Sequence, residues 1–254
     1  MPDQQHPTDE ADAHYNSLQV DLHANVRNDL TVQFGYTLSR AIDPTTGTGS
    51  GADLNNVSDP YEGWKYDMGP SIYDRTNVAF ANYVYDIPFL RNAENRVLRT
   101  ALGGWELSGI VTMETGAPLN IGISGTNVAS VVQNSSNRPD GTGSISYPHT
   151  AAEWFNTSVF SMPAPGTWGD LGHNVVRGPG RDNWNMSLFK AFAFGEKGRR
   201  LEFRADGFNV WNHTQFKGDY NNGGISTNFG SSNFGAVTSA YDPRTFQLGL
   251  KFVF

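Results

Sequence analysis

The sequence of 254 residues contains no cysteine, which excludes disulfides, thiolate catalysis and cysteine-based metal sites. It also lacks any run of about 18 apolar residues, the length that a membrane-spanning helix needs. Charged residues are scarce at 17%, against a usual share of about 25%. The formal net charge of -7 argues against a basic surface for nucleic acid. We therefore expect no nucleic-acid partner.

Signatures of catalysis and of metal binding are missing as well. The six histidines show no compact ligand spacing, and no G-x-S-x-G elbow occurs. Serine, histidine and aspartate residues are too scattered to indicate a catalytic triad. The sequence therefore predicts that the protein is not an enzyme and has no catalytic residues, no metal site and no cofactor. The first residues also lack a secretory signal, so we expect an exported chain to be the C-terminal piece of a longer protein.

What the sequence does contain is strict alternation, most clearly at the C-terminus. From 246 to 254, every second residue is Phe or Leu. This period of two predicts a β-strand with two different environments. Free termini of soluble chains fray into water, whereas a strand facing lipid places aromatic side chains at the membrane–water interface. The last strand of a soluble sandwich is the alternative interpretation.

Six further segments show a similar alternation. They lie at about 16–26, 30–38, 77–87, 105–113, 184–194 and 201–211. Between the segments, and counting the final one, the connections are alternately short and long. The long ones lie at about 40–74, 124–181 and 212–243, and the longest is expected to be irregular. Outer-membrane barrels have short periplasmic turns and long external loops, so this asymmetry favours a barrel.

The predicted fold is therefore all-β: an antiparallel transmembrane β-barrel segment of about seven long strands, with short periplasmic turns and long extracellular loops. We assign residues 14–254 to this segment and residues 1–13 to a polar N-terminal loop. The apolar faces of the strands should be exposed, forming a belt that contacts lipid. Burial of these faces between two packed sheets would indicate a sandwich instead.

Several short motifs resemble the barrel of Oar-like TonB-dependent receptors. They include GYTLSRAID at 35–43, YDIPF at 85–89, GWELSG at 104–109, RGPG at 177–180, FRAD at 203–206 and FNVWNH at 208–213. The resemblance implies the C-terminal part of a larger receptor barrel of about 22 strands. It also implies uptake of a substrate across the outer membrane of a Gram-negative bacterium. Seven strands cannot close a bacterial barrel, which uses an even number from about eight upward.

The expected partners follow from this resemblance. They are outer-membrane lipid, the barrel-assembly machinery, an unknown extracellular ligand, and the TonB system with a plug domain encoded upstream. The pattern of Gln247, Gly249, Phe252 and Phe254 resembles the C-terminal signal by which such barrels are recognised for assembly. Two other function classes remain open: a structural or adhesive surface protein that displays its loops, and a soluble carbohydrate-binding β-sandwich.

The remaining candidate site is a row of charges in the sixth predicted strand. Glu202, Arg204 and Asp206 occupy alternate positions, so they share the face that would line the lumen. One interpretation is a structural charge ladder in a wet interior. The other is a contact with the plug or with substrate.

Overall fold

The computed structural model describes residues 12–44, 58–59, 62–123, 138–195, 198–218 and 223–254. Within these residues the strands are β1 His14–Val26, β2 Leu30–Asp43, β3 Gly69–Pro70, β4 Asn77–Asp86, β5 Glu106–Glu114, β6 Pro118–Leu119, β7 Gly122–Ile123, β8 Asp140–Gly141, β9 Phe160–Ser161, β10 Val176–Arg177, β11 Arg181–Ala193, β12 Arg200–Phe208, β13 Asn228–Phe229 and β14 Thr245–Val253. The helices are α1 Trp64–Asp67 and α2 Arg96–Leu102, with a 3₁₀ turn at Thr157–Val159.

Seven long strands form one antiparallel sheet in the order β1–β2–β4–β5–β11–β12–β14. The short strand β3 pairs with the end of β2. Each long strand pairs with the next long strand along the chain, as a meander of hairpins requires. In the described residues β1 and β14 are the two edges, so the sheet is open. The prediction of an all-β, antiparallel barrel segment with seven long strands is confirmed.

The pairing register separates the sheet into two faces. Leu22 lies opposite Phe34, which lies opposite Ala81. Ala81 in turn lies opposite Val111, and Val111 opposite Trp184. Directly paired residues of antiparallel strands share a face, so these side chains belong to one apolar surface, which we call the outer face. The opposite, mostly polar surface is the inner face.

The outer face is exposed along both edges of the sheet, while Val111 on the central strand is only 7% exposed. Leu18 is 60% exposed at one edge of the sheet, and Leu248 is 73% exposed at the other. In the described residues no second sheet packs across this surface, which excludes a sandwich of two sheets. The expectation that the apolar faces form an exposed belt is therefore confirmed. A belt of this kind is stable only against hydrocarbon, because exposing it to water costs about 25 cal/mol per Å².

The strand ends differ from the sequence prediction in several places: β2 continues to Asp43 instead of ending near 38, and β11 begins at Arg181 instead of near 184. β12 ends at Phe208, three residues before the predicted end near 211. Asn209 and Asn212 have φ angles of 49° and 53°, in the left-handed region that interrupts a strand. The backbone of Asn209 instead donates to the Asn185 side chain at 3.1 Å. The asparagine side chains at this corner make the turn that sequence alternation does not reveal.

The connection at 87–105 is one of the predicted short connections, but it is longer than a tight turn and carries a helix that the sequence did not predict. It contains helix α2, whose first amides are capped by the Asn95 side chain, with Val97 N at 2.9 Å and Leu98 N at 3.3 Å. Asparagine is a favoured N-cap residue. The other two connections at this end of the sheet, 27–29 and 194–199, are only three and six residues long.

At the opposite end, the long connections fold together into a compact unit, which we call the loop cap. Its core consists of Leu119, Ile121, Trp154, Phe155, Phe160, Leu171, Val176 and Ile225. The pairs β6–β10, β7–β13 and β8–β9 lie within the loop cap. The described part of the region predicted to be irregular, from 138 to 180, is irregular in its backbone, with three two-residue strands and one 3₁₀ turn. The sequence did not predict that this irregular chain packs around a core. The buried apolar core of this chain thus lies in the loop cap and not between sheets.

The predicted N-terminal loop at 1–13 lies outside the described residues, except for the exposed Asp12 and Ala13. Among the residues that the structure describes, no helix has the length and apolar character needed to cross a membrane.

Candidate functional site: the inner face and the loop cap

Polar side chains link neighbouring strands across the inner face. Gln33 donates to Asp21 at 3.4 Å, and Asn82 donates to Gln33 at 3.5 Å. These contacts join β1, β2 and β4 at one level of the sheet. Phe80 interrupts the polar surface, but its ring lies over Gly35, where a Cβ atom would collide with it. The inner face is therefore a mainly hydrated surface with its side chains held in rows.

A groove of about 740 Å³ runs across the inner face. The polar side chains that line it include Gln33, Asn82, Ser108, Asn185, Ser187 and Asp206, together with His23, Asn25, Thr31 and Arg204. Amides, hydroxyls and a carboxylate can donate and accept hydrogen bonds to a polar solute or to water. This lining is suited to reversible polar contacts, and nothing in it resembles a nucleophile paired with a general base.

The structure brings Glu202, Arg204 and Asp206 together on the inner face, as predicted. Arg204 Nε lies 2.8 Å from Asp206, and Arg200 Nε lies 2.6 Å from Glu202. Lys251 of β14 adds a longer contact of 3.7 Å to Glu202. The charges neutralise one another along β12, which fits a structural ladder. Their predicted contact with a plug or substrate stays a prediction.

The loop cap is held together by a buried ion pair that sequence reasoning missed. Arg138 Nη1 lies 3.1 Å from Asp67 Oδ1, and neither side chain is more than 2% exposed. The guanidinium also donates to the carbonyls of Leu171 at 2.9 Å and Tyr66 at 2.7 Å. Its charge lies over the Tyr66 ring, 3.8 Å from the centroid. Because the partners come from distant loops, no local pattern in the sequence could have found them.

Two ionisable groups next to this pair have shifted pKa values. Burial, reinforced by the Arg138 charge, lowers the pKa of His173 from 6.5 to about 4. Burial also raises the pKa of the Tyr66 phenol, whose hydroxyl donates to the carbonyl of Gly169 at 2.5 Å. In both cases desolvation disfavours the charged form. At neutral pH, both groups are therefore uncharged parts of the loop-cap interior.

The RGPG motif at 177–180 has a structural role. Arg177 Nη2 lies 2.6 Å from the buried carboxylate of Asp74, which also accepts from the backbone of Ala41 at 2.7 Å. Gly178 packs so closely on Gly116 that a Cβ on Gly116 would collide with its carbonyl. Arginine and glycine at these positions therefore fasten the loop cap to the outer ends of β2 and β5.

A second groove of about 500 Å³ opens on the loop cap. It is lined by Asp59, Glu62, Lys65, Tyr66, Gly166, Thr167, Trp168, Gly169 and Asp170. An aromatic side chain beside carboxylates offers an apolar platform together with hydrogen-bond acceptors. Among the described residues, no group of three or more histidine or acidic side chains is arranged to hold a metal ion.

The predicted assembly signal divides between the two faces. Gln247 and Gly249 lie on the inner face opposite Asp206 and Arg204. Phe252 stacks on Phe194 with centroids 5.5 Å apart, and Phe254 follows Phe252 at 5.8 Å. The terminal phenylalanines thus belong to an aromatic row at the rim of the outer face. Recognition by assembly machinery stays a prediction.

Lys190 is a second residue that the sequence analysis missed. The register places it opposite Phe203, on the apolar outer face. Its ammonium group donates to the carbonyl of Gly103 and lies 5.3 Å from the centre of the Trp105 ring. The alternation of 188, 190 and 192 could have revealed this cation on a lipid-facing position. A lysine near the end of a spanning strand reaches toward the interface in this way.

An open antiparallel sheet with an exposed apolar face, a polar face and its three longest connections at one end defines a wall segment of a membrane β-barrel. The model of the outer membrane beta barrel domain family matches residues 3–247, and the chain belongs to this family. The protein is thus located in the outer membrane of a Gram-negative bacterium. No curated protein and no solved structure matches the chain.

Proposed function

We propose that this chain is the C-terminal barrel portion of an Oar-like TonB-dependent receptor, which takes up a polar substrate across the outer membrane. In this proposal the protein is not an enzyme. The TonB system supplies the energy, and a plug domain outside this chain gates the lumen. The observation that carries the proposal is the polar groove on the inner face, placed beneath a folded loop cap.

The inner face supports a transport path because it combines hydration with neutral or internally compensated side chains. The ladder of Glu202, Arg204 and Asp206 carries both signs of charge. On such a surface there are few positions where an uncompensated charge would bind a passing solute tightly. A plug or substrate would exchange contacts with water at the groove at little cost, because water-mediated bonds are nearly as favourable as direct ones.

The loop cap supports ligand capture. Trp168 is half-buried, and its indole donates to the Ser58 carbonyl at 2.8 Å, which orients the ring in the outer groove. Glu62 and Lys65 are exposed beside it. An oriented aromatic ring with flanking polar groups is the arrangement that binds carbohydrate or peptide in many sites. We propose a ligand of one of these two classes.

The test uses the full receptor in cells with and without a functional TonB protein. Accumulation of a fluorescent oligosaccharide or oligopeptide should require both the receptor and TonB. Trp168→Ala should reduce accumulation severalfold, whereas Tyr73→Ala, which removes another exposed cap aromatic, should not. Uptake that persists without TonB, or that is insensitive to Trp168, would contradict the proposal.

A surface-display role is the second candidate, and the packed core of the loop cap favours it. Phe155 and Val176 are completely buried, so the external loops have a fixed shape. A protein that presents an adhesive surface needs such a shape but no path through the lumen. Full surface adhesion by a receptor whose lumen is blocked, together with no TonB-dependent uptake of either probe, would support display over transport.

A further inference from the structure

Helix α2 is an amphipathic helix whose apolar side nothing in the described residues covers. Successive helical residues are rotated by about 100°, so Val97, Leu98, Ala101 and Leu102 form one continuous arc. Arg96, Arg99 and Thr100 form the opposite arc. None of its residues is buried, and Val97 is 73% exposed. Water alone gives such a short helix little stability, so an apolar surface is expected to complete it.

The position of α2 indicates what this surface is. Trp105 donates to the Ala101 carbonyl at the helix end, at 3.2 Å. The Trp105 ring makes edge contacts with Phe192 and Phe203, at centroid distances of 6.4 and 5.9 Å. Both phenylalanines lie on the outer face. The end of α2 is therefore attached to the rim of the lipid-facing surface and not to the lumen.

Lys190 strengthens the same attachment. Its ammonium group donates to the carbonyl of Gly103, the residue that ends the helix. Gly103 is itself packed against the carbonyl of Leu90, so that a Cβ there would collide. The connection is thus folded back on itself and held at one height on the sheet. The short connections 27–29 and 194–199 lie at the same end, which in outer-membrane barrels is the periplasmic end.

The charges around the helix are mostly positive. Arg91, Arg96 and Arg99 are exposed, and none forms an ion pair with another described residue. Glu94 is the acidic residue within this stretch. A basic polar arc opposite an apolar arc is typical of helices that lie in the plane of a membrane interface. Each basic residue near an anionic surface adds to the electrostatic attraction between them.

We propose that α2 is an interfacial helix that binds anionic phospholipid in the periplasmic leaflet. Leu98 and its apolar neighbours lie among the acyl chains, and Arg96 and Arg99 contact lipid phosphates. The helix and the outer face meet at Trp105, whose ring contacts Phe192 and whose indole donates to the Ala101 carbonyl. The site depends on the membrane location of the chain but not on transport or on TonB.

Depth measurements test the apolar arc. Because the sequence contains no cysteine, Leu98→Cys and Thr100→Cys each give a unique labelling site, one on each arc. The protein is reconstituted in vesicles of phosphatidylcholine with phosphatidylglycerol, labelled with an NBD fluorophore, and exposed to lipids brominated on their acyl chains. Quenching at position 98 should exceed quenching at 100 severalfold. Equal quenching at the two positions would overturn the proposal.

Charge substitutions test the lipid class. Removing phosphatidylglycerol should reduce the quenching at 98, and the double variant R96Q/R99Q should abolish this dependence on anionic lipid. The matched control R27Q/R199Q also removes two positive charges, from the short connections at the same end of the sheet. In this control the quenching at 98 should still depend on anionic lipid. Equal loss in both variants would mean that the whole periplasmic end attracts anionic lipid and that α2 has no site of its own.

A label at 98 that is shielded from water but not quenched by brominated lipid would mean that a protein segment covers the helix, and this would overturn the proposal. A heat-modifiable band on a gel verifies folding of every variant.

Discussion

Arg138 and Asp67 face each other at 3.1 Å inside the loop cap, and their side chains are 1% and 2% exposed. The pair joins the segment before β3 to the segment before β8, across the top of the open sheet. Asp67 also accepts from the backbone of Ser58 at 2.7 Å, so both charges have further hydrogen-bond partners. A buried pair of this kind is costly to break from one side, because the remaining charge is left without compensation.

Replacing Arg138 should therefore unfold the loop cap without unfolding the sheet. For Arg138→Met we expect a loss of about 3–5 kcal/mol in loop-cap stability. The measurement is the urea dependence of protease protection at the loop cap. Arg204→Met, which breaks the exposed pair on the inner face, should cost at most about 1 kcal/mol. Equal losses in the two variants would mean that Arg138 has no special role.

Acid should weaken the loop cap through His173. Its pKa is about 4 in the folded protein and 6.5 without the surrounding structure, so the unfolded state binds the proton more readily. The stability due to the neutral form is fully present above pH 6.5 and is lost as the pH falls toward 4. Burial and Arg138 lower the pKa, while Asp67 and Asp43 oppose the shift. The loss should approach about 3 kcal/mol, from about 1.4 kcal/mol per pKa unit.

The variant His173→Gln isolates this effect, because glutamine does not titrate. The stability of the loop cap is compared between wild type and variant at several values from pH 7 to 4. The difference between them should change across this range as the histidine charges. A difference that stays constant would show that protonation of another group weakens the loop cap.

The two faces of β14 should respond differently to a new charge. Leu250 is 70% exposed on the outer face, and Leu250→Arg should cost about 2–4 kcal/mol in lipid, because a cation then faces hydrocarbon. Gln247→Arg on the inner face places the new charge opposite Asp206 and should cost far less. Unfolding of the full receptor in lipid vesicles measures both. Equal costs would contradict the assignment of the faces.

The terminal phenylalanines should matter more for insertion than for folding of the sheet. Phe254 is 94% exposed, so its removal leaves no cavity. We expect Phe252→Ala with Phe254→Ala to reduce outer-membrane insertion of the full receptor severalfold, since it removes interfacial anchors and the proposed assembly signal. The amount of heat-modifiable barrel in outer-membrane fractions measures this. Val253→Ala, between them, serves as control. Undiminished insertion of the double variant would leave β14 as an ordinary amphipathic strand.

Deleting residues 130–175 would be an unselective test of ligand capture. It would remove Trp154, Phe155, Phe160 and Leu171, all members of the loop-cap core. Loss of binding would then follow from collapse of the loop cap, whatever the ligand contacts are. Barrel assembly is still expected to survive the deletion, because the ladder pairs of the seven long strands lie outside it. Point substitution at Trp168 separates capture from loop-cap folding.

The seven long strands could be predicted from the sequence because their signal is local. Each strand needs only alternating side chains and a turn at its end, and the register of neighbouring strands then follows from matching the apolar faces. Leu22 and Phe34 are separated by only a dozen residues, and the alternation around each of them is enough to predict that both lie on the apolar face. The exposed belt, the open edges and the outer-membrane fold were derived in this way.

Only the tertiary structure determined the loop cap and helix α2. Arg138 meets Asp67, and Trp154 meets Phe216, through contacts between loops whose sequences show no periodicity. Because these contacts join residues that are far apart in the chain, the sequence of a Gly- and Asn-rich stretch does not show whether it has a packed interior or forms an open loop. Helix α2 is too short for its pattern to be distinguished from a turn, and its attachment depends on Lys190, far along the chain. Local alternation determined the barrel wall, and long-range packing determined what lies at its two ends.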